Sequence, residues 1–143
     1  MSLTNYAESA LLNSLFGKTS SFGALGTAPT LYIGLYTGDP TDAGTQTSEP
    51  TIGSGGYARK QTAAADWNAS SGGTSVSNAN ALAFPESTAA WSTGATPVAY
   101  FALLDAATAG NMIASGALTT SRTVNAAGVT LSFAASALTA TMD

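Results

Sequence analysis

Apolar and polar residues alternate in short runs along most of this chain, and in one place only do apolar residues recur at helical spacing. That place is residues 4–17. Leu3, Ala7, Ala10, Leu11 and Phe16 fall near one stripe, and Leu12 and Leu15 widen it until the helix is apolar over more than half its circumference. Asn5 followed three positions later by Glu8 makes a capping-box pattern, and Gly17 supplies a stop. Such a helix needs cover on two sides, either from a sheet alone or from a sheet and a neighbouring subunit.

The remaining pattern has a period of two. Residues 30–37 place Leu31, Ile33 and Leu35 on one face and Tyr32, Gly34 and Tyr36 on the other, which predicts a strand ended by Gly38-Asp39-Pro40. Residues 41–56 read as a long polar loop, 57–63 as a strand carrying Arg59 and Lys60, and Val76 and then Leu82 with Phe84 as further strands, the last ended by Pro85. Residues 98–104 are apolar on both faces, with Val98, Tyr100, Ala102 and Leu104 alternating against Ala99, Phe101 and Leu103, which predicts a central strand buried on both sides. A turn over 105–111 returns the chain along 112–118 as a hairpin, and Arg122 and Val124 continue the pattern. Val129, Leu131 and Phe133, then Leu138, Ala140 and Met142, give two more strands. About eight strands at regular spacing predict a mainly β fold, an antiparallel β-sandwich or jelly-roll-like barrel with one N-terminal α-helix. A single domain over residues 1–143 is expected, with the helix at 4–17 and the sandwich from 28 to 143.

Composition removes most chemistry from this scaffold. The 143 residues are 45% hydrophobic and 8% charged, with no histidine and no cysteine. Those two side chains are the most adaptable for proton transfer, nucleophilic attack and soft-metal ligation near neutral pH, so a non-enzymatic protein working by shape and contact is expected. Eight acids oppose four cations for a net charge of −4, without a basic cluster, so no phosphate-binding groove and no nucleic-acid partner is predicted. No apolar run approaches the roughly 20 residues of a membrane helix and no export signal is visible, so no membrane partner is predicted either. Asp39 and Asp42 are the only acids close in sequence, but aspartate between glycine and proline is ordinary turn chemistry, and no metal or cofactor is expected. The cluster Gly53-Ser54-Gly55-Gly56 lacks the lysine and following helix of a phosphate cradle and reads as an approach to Tyr57. Trp67 and Trp91 would stack on sugars if exposed and belong to the core if buried.

Several runs also carry a resemblance as an ordered set. These are Leu3-Thr4-Asn5-Tyr6-Ala7-Glu8-Ser9-Ala10-Leu11-Leu12-Asn13, Leu31-Tyr32-Ile33-Gly34-Leu35-Tyr36, Asp39-Pro40-Thr41-Asp42-Ala43-Gly44, Gly55-Gly56-Tyr57-Ala58-Arg59, Ala90-Trp91-Ser92 and Asp105-Ala106-Ala107-Thr108-Ala109-Gly110-Asn111. In this order they resemble a family of small virion proteins from tailed bacteriophages, variously labelled head-decoration, cement or tail-fibre proteins. The resemblance implies a virion part made in the host cytoplasm but not its address. A small compact β-fold suits a shell component, while 143 residues leave no room for a fibre's attachment segment, trimerising shaft and variable head, so the part is expected on the head surface in preference to the tail. Its expected partners are the major capsid protein and copies of itself, the alternative being a small tail-fibre or tail-tip component that meets tail proteins or a host surface glycan. Candidate interface residues come from the helix and the long loop with the strand after it: Tyr6, Leu11, Leu12, Leu15, Phe16, Ile52, Tyr57 and Arg59.

Overall fold

The computed structural model describes residues 5–18, 28–41, 43–70 and 74–141. Among the described residues the protein is mainly β, with eight strands in antiparallel sheets and one helix towards the N-terminus. Its chain folds as two compact units, one made of residues 1–30, 63–82 and 133–143 and the other of residues 31–62 and 83–132.

The first unit is built around helix α1 (Asn5–Leu15) and the antiparallel pair β3 (Ser75–Ser77) and β8 (Thr139–Thr141). Helix α1 ends as its sequence predicts. Gly17 takes a left-handed φ of 68°, and the Lys18 N–H returns 2.7 Å to the Asn13 carbonyl, closing a Schellman turn. Leu12 and Phe16 are buried, and the Phe16 ring meets Trp67 edge-on at 4.5 Å between centroids. Two asparagines organise the polar interior. The Asn13 side chain donates to the Ser70 carbonyl at 3.0 Å and accepts from the Ser70 N–H at 2.8 Å, while the Ser70 hydroxyl donates to Ser9 at 3.2 Å. Asn78, fully buried, donates to the carbonyls of Asn80 and Ala134 and accepts the Leu138 N–H, each at 2.8 Å. Short strands leave many backbone groups unpaired, and these amides satisfy them.

The second unit holds the main sheet, in the order β2 (Lys60–Thr62), β1 (Leu31–Tyr36), β5 (Val98–Leu104) and β6 (Met112–Arg122). All its pairings are antiparallel, and β5 and β6 form the expected hairpin. On one face Ile33 and Leu35 stand opposite Leu103 and Phe101, and on the other Gly34 and Tyr36 stand opposite Ala102 and Tyr100. The remaining strands, β4 (Leu82–Ala83) and β7 (Ser132–Phe133), have two residues each and form a separate sheet.

Several elements differ from their predicted extent. The strand expected over 57–63 shrinks to Lys60–Thr62, because Tyr57 and Arg59 turn their side chains to the polar cluster described below. Strand β6 runs four residues beyond 118, and irregular pairing at both of its ends accommodates its greater length against β5. Strand β5 is buried at Val98 and from Ala102 to Leu104 but half-buried from Ala99 to Phe101, since β6 offers it only small neighbours such as Gly116. Met142 and Asp42 lie outside the described residues.

Replacing Asn13 by alanine leaves the buried Ser70 N–H and carbonyl without their partner and should lower stability by about 1–3 kcal/mol. Ser14→Ala, one position along the same helix, should change it by less than about 0.5 kcal/mol in chemical denaturation. Equal effects of the two substitutions would contradict the role given to the asparagine.

Candidate functional site

The densest polar arrangement in the second unit centres on Glu49, in the long loop between β1 and β2, and Arg59, just before β2. Strand β2 stops opposite Ile33, so β1 runs past it with backbone groups to satisfy. The loop continues the edge: the Leu35 N–H donates to the Tyr57 hydroxyl at 2.9 Å, and the Thr37 N–H to the Ser48 carbonyl at 3.0 Å. Tyr57 in turn donates to Glu49 Oε1 at 2.9 Å, and Tyr36 donates to Oε2 at 3.5 Å.

Arg59 meets the same carboxylate in fork geometry, with Nε 2.8 Å from Oε1 and Nη2 2.7 Å from Oε2. The two side chains are 1% and 6% exposed. The other guanidinium donors reach the Gln46 side-chain oxygen at 2.8 Å and the carbonyls of Ala106 and Ala109 at 2.8 and 2.7 Å. One cation therefore ties the long loop and the 105–111 turn to the same point on the sheet. Room for the carboxylate comes from Gly34, where a Cβ would lie 3.0 Å from Glu49 Oε1 and 3.0 Å from a Leu104 methyl.

The cluster shifts its own ionisation. Burial, reinforced by the Glu49 charge, pushes the Tyr36 phenol up to about 12, and the same causes in the same order raise Tyr57 further. The hydrogen bonds to Glu49 hold the Arg59 guanidinium above its ordinary value despite burial. At the tethered turn, Asp105 accepts from the Asn111 side chain and N–H at 2.8 and 2.7 Å, which lowers its carboxyl below the usual range. Gly110 closes this turn at φ 74°, with Asp105 so near that a Cβ would lie 2.5 Å from its Oδ1.

The glycine run before Tyr57 has a packing role. Ser54–Gly56 form a 3₁₀ turn, and the Gly55 carbonyl accepts the Trp91 indole N–H at 2.7 Å and the Thr88 N–H at 2.8 Å. The Trp91 ring stands edge-on to Tyr57 at 5.3 Å. Beside it lies a groove of about 370 Å³ lined largely by hydroxyls, among them Thr37, Ser48, Thr51, Ser54 and Thr93, whose one carboxylate is the engaged Glu49.

Strand β6 presents a different surface. It is the outer strand of the main sheet, exposed or half-exposed along all of its eleven residues, and Ile113, 37% exposed, is the one large exposed hydrophobic residue among those described.

The candidate interface residues are distributed as follows. Leu12 and Phe16 are buried in the first unit, where Leu11 and Leu15 are half-buried, and the Tyr6 side chain lies outside the described residues. Tyr57 and Arg59 are buried in the second unit, serving the cluster above, and Ile52 in its long loop is half-buried. Glu49, Gln46 and the exposure of β6 did not emerge from the sequence pattern. A single acid facing a single arginine across a polar loop gives no periodic signal, and small neutral residues do not distinguish an exposed strand from a covered one. Asp39 accepts the Thr41 N–H at 2.9 Å, which is the turn chemistry its neighbours suggested. No group of three or more potential metal ligands occurs among the described residues, and no described helix is long and apolar enough to cross a membrane.

A β-rich scaffold whose buried charges Glu49 and Arg59 are bound to each other and to the loops around them is a structural arrangement, and comparison with known families gives its kind. The chain belongs to the family described as Podophage GP4 fiber I protein gp80, whose model matches residues 2–141. It is thus a phage virion component of the fibre or structural kind. No curated protein matches it.

Raising the pH should expose the cluster's energetics. Both phenols ionise at pH 10.0 when unfolded and higher when folded, so their stabilisation is intact below pH 10 and declines as pH rises toward and past 12. Absorbance titration, with Tyr36→Phe and Tyr57→Phe variants to assign the signal, should show these two phenols withheld from ionisation beyond the ordinary range. Ionisation of both near the ordinary value, with stability unchanged, would contradict the cluster.

Proposed function

We propose that this protein is a non-enzymatic subunit on the outside of the phage head, a decoration or cement protein that binds the major capsid protein and copies of itself by surface contact. The observation that carries this reading is the placement of the two indoles. Trp67 is 2% exposed and Trp91 8% exposed, the latter with its N–H given to Gly55, so neither offers an open face on which a sugar ring could stack. What the main sheet offers outward is β6, neutral from Met112 to Ser121 and mostly small-sided, which suits close contact with another protein surface. A protein held only by such contacts stabilises a shell by mass action, because each contact exists only in the assembled lattice.

A second reading is favoured by the family description, which names a fibre protein, and by the hydroxyl-lined groove beside Trp91. In it the chain is a small tail-fibre or tail-tip subunit that meets other tail proteins and touches a neutral host glycan.

Counting the copies in purified virions, with antibody labelling to locate them, separates the two. Copies on the order of hundreds, spread over the head, are expected for a shell component because it follows the lattice symmetry. Copies in single figures or tens, confined to the tail, would overturn the decoration role and support the second reading.

A further inference from the structure

We propose that β6 is a self-association edge, through which two copies of this chain pair antiparallel about a two-fold axis at Ser115, within the regular stretch Ala114–Ala117. The inference rests on the contact-forming role above for its purpose, and on the strand itself for its geometry.

The two edges of the main sheet are unlike. Strand β2, at one edge, has three residues and carries Lys60, the short and charged form that discourages pairing. Strand β6, at the other, has eleven, and from Met112 to Ser121 it holds neither a charge nor a proline. The irregularities in its pairing with β5 fall at its two ends and leave Ala114–Ala117 in unbroken register with Tyr100–Leu103. A regular, neutral stretch in the middle of an outer strand is where a further strand adds most readily.

Charge selects the occupant and its direction. The one cation of β6, Arg122, lies at the strand's end, and the Asp105–Asn111 turn that leads into the strand carries the carboxylate of Asp105 at the other. Antiparallel pairing about Ser115 sets Ser115 opposite Ser115 of the second copy and Ala114 opposite its Gly116. It also brings the end of one strand that carries Arg122 to the end of the other where the Asp105–Asn111 turn enters. The arrangement occurs twice by symmetry, setting each arginine end against a carboxylate end. Parallel pairing would instead bring Arg122 beside Arg122. Asp105 keeps acceptor capacity beyond the two bonds it takes from Asn111.

Sedimentation equilibrium of the full chain tests this, with circular dichroism confirming that each variant is folded. Wild-type protein should be a dimer. Ser115→Lys brings two ammonium groups together at the axis and should weaken the dimer by about ten-fold or more. Arg122→Glu should weaken it most at low salt, and Arg122→Lys should retain it. A wild-type monomer, an assembly of another order, or a dimer indifferent to both Ser115→Lys and Arg122→Glu would overturn the proposal. Copies per virion report on the virion role separately: a monomer that still loads onto particles overturns the paired edge and leaves that role standing.

Discussion

The second unit depends on one buried ion pair. Glu49 and Arg59 are removed from water almost completely, and two charges so placed are tolerated only when every remaining donor and acceptor is satisfied. Here they are: the five N–H groups of the guanidinium reach Glu49 twice, Gln46, Ala106 and Ala109, and the carboxylate also receives Tyr57 and Tyr36. A fully satisfied pair of this kind adds little net stability over an apolar core of the same volume, but it specifies geometry. The loop from 37 to 56 is too polar to dock by burial of apolar surface, and the 105–111 turn consists mostly of alanine and glycine. Fixed donors and acceptors position both.

The consequence reaches the surface. The tethered turn is where the chain leaves β5 and starts β6, so the register with which β6 begins is set by the carbonyls that Arg59 holds. A structural virion protein needs surfaces that keep their shape without a ligand to organise them. In this chain the Glu49–Arg59 cluster is turned inward and supplies that rigidity, and the outermost strand carries mostly small side chains, which lose little entropy on contact. A composition poor in charge, without histidine or cysteine, suits such a surface.

Strands β1 and β5 were legible because a two-sided alternation in one and a continuous apolar run in the other leave few alternatives. Helix α1 was legible to within two residues, stop included, because Gly17 supplies the left-handed turn that ends it. The small strands were readable in place but not in extent, since lengths of two or three residues are set by side-chain bonds from Asn78 or Ser87 that no periodicity reports. Tyr57 and Arg59 stood out as large residues in a chain of small ones. Their prominence in sequence reflects a shared acid 8 and 10 positions upstream, a relation visible only once the loop has folded back. Strand β6 was read to 118 with the pattern continuing at Arg122, and the structure carries it unbroken through Thr119, Thr120 and Ser121, where polar residues on an exposed strand give no alternation to follow.

The most direct test of this account is a double-mutant cycle on the pair, with Arg59→Met, Glu49→Leu and both together, measured by chemical denaturation. The account predicts that the double variant loses less stability than the two single losses combined, by about 2–3 kcal/mol, because each single change strands a buried charge that the double change removes. Losses that add to within about 0.5 kcal/mol would show that the two groups do not depend on each other, and would contradict it.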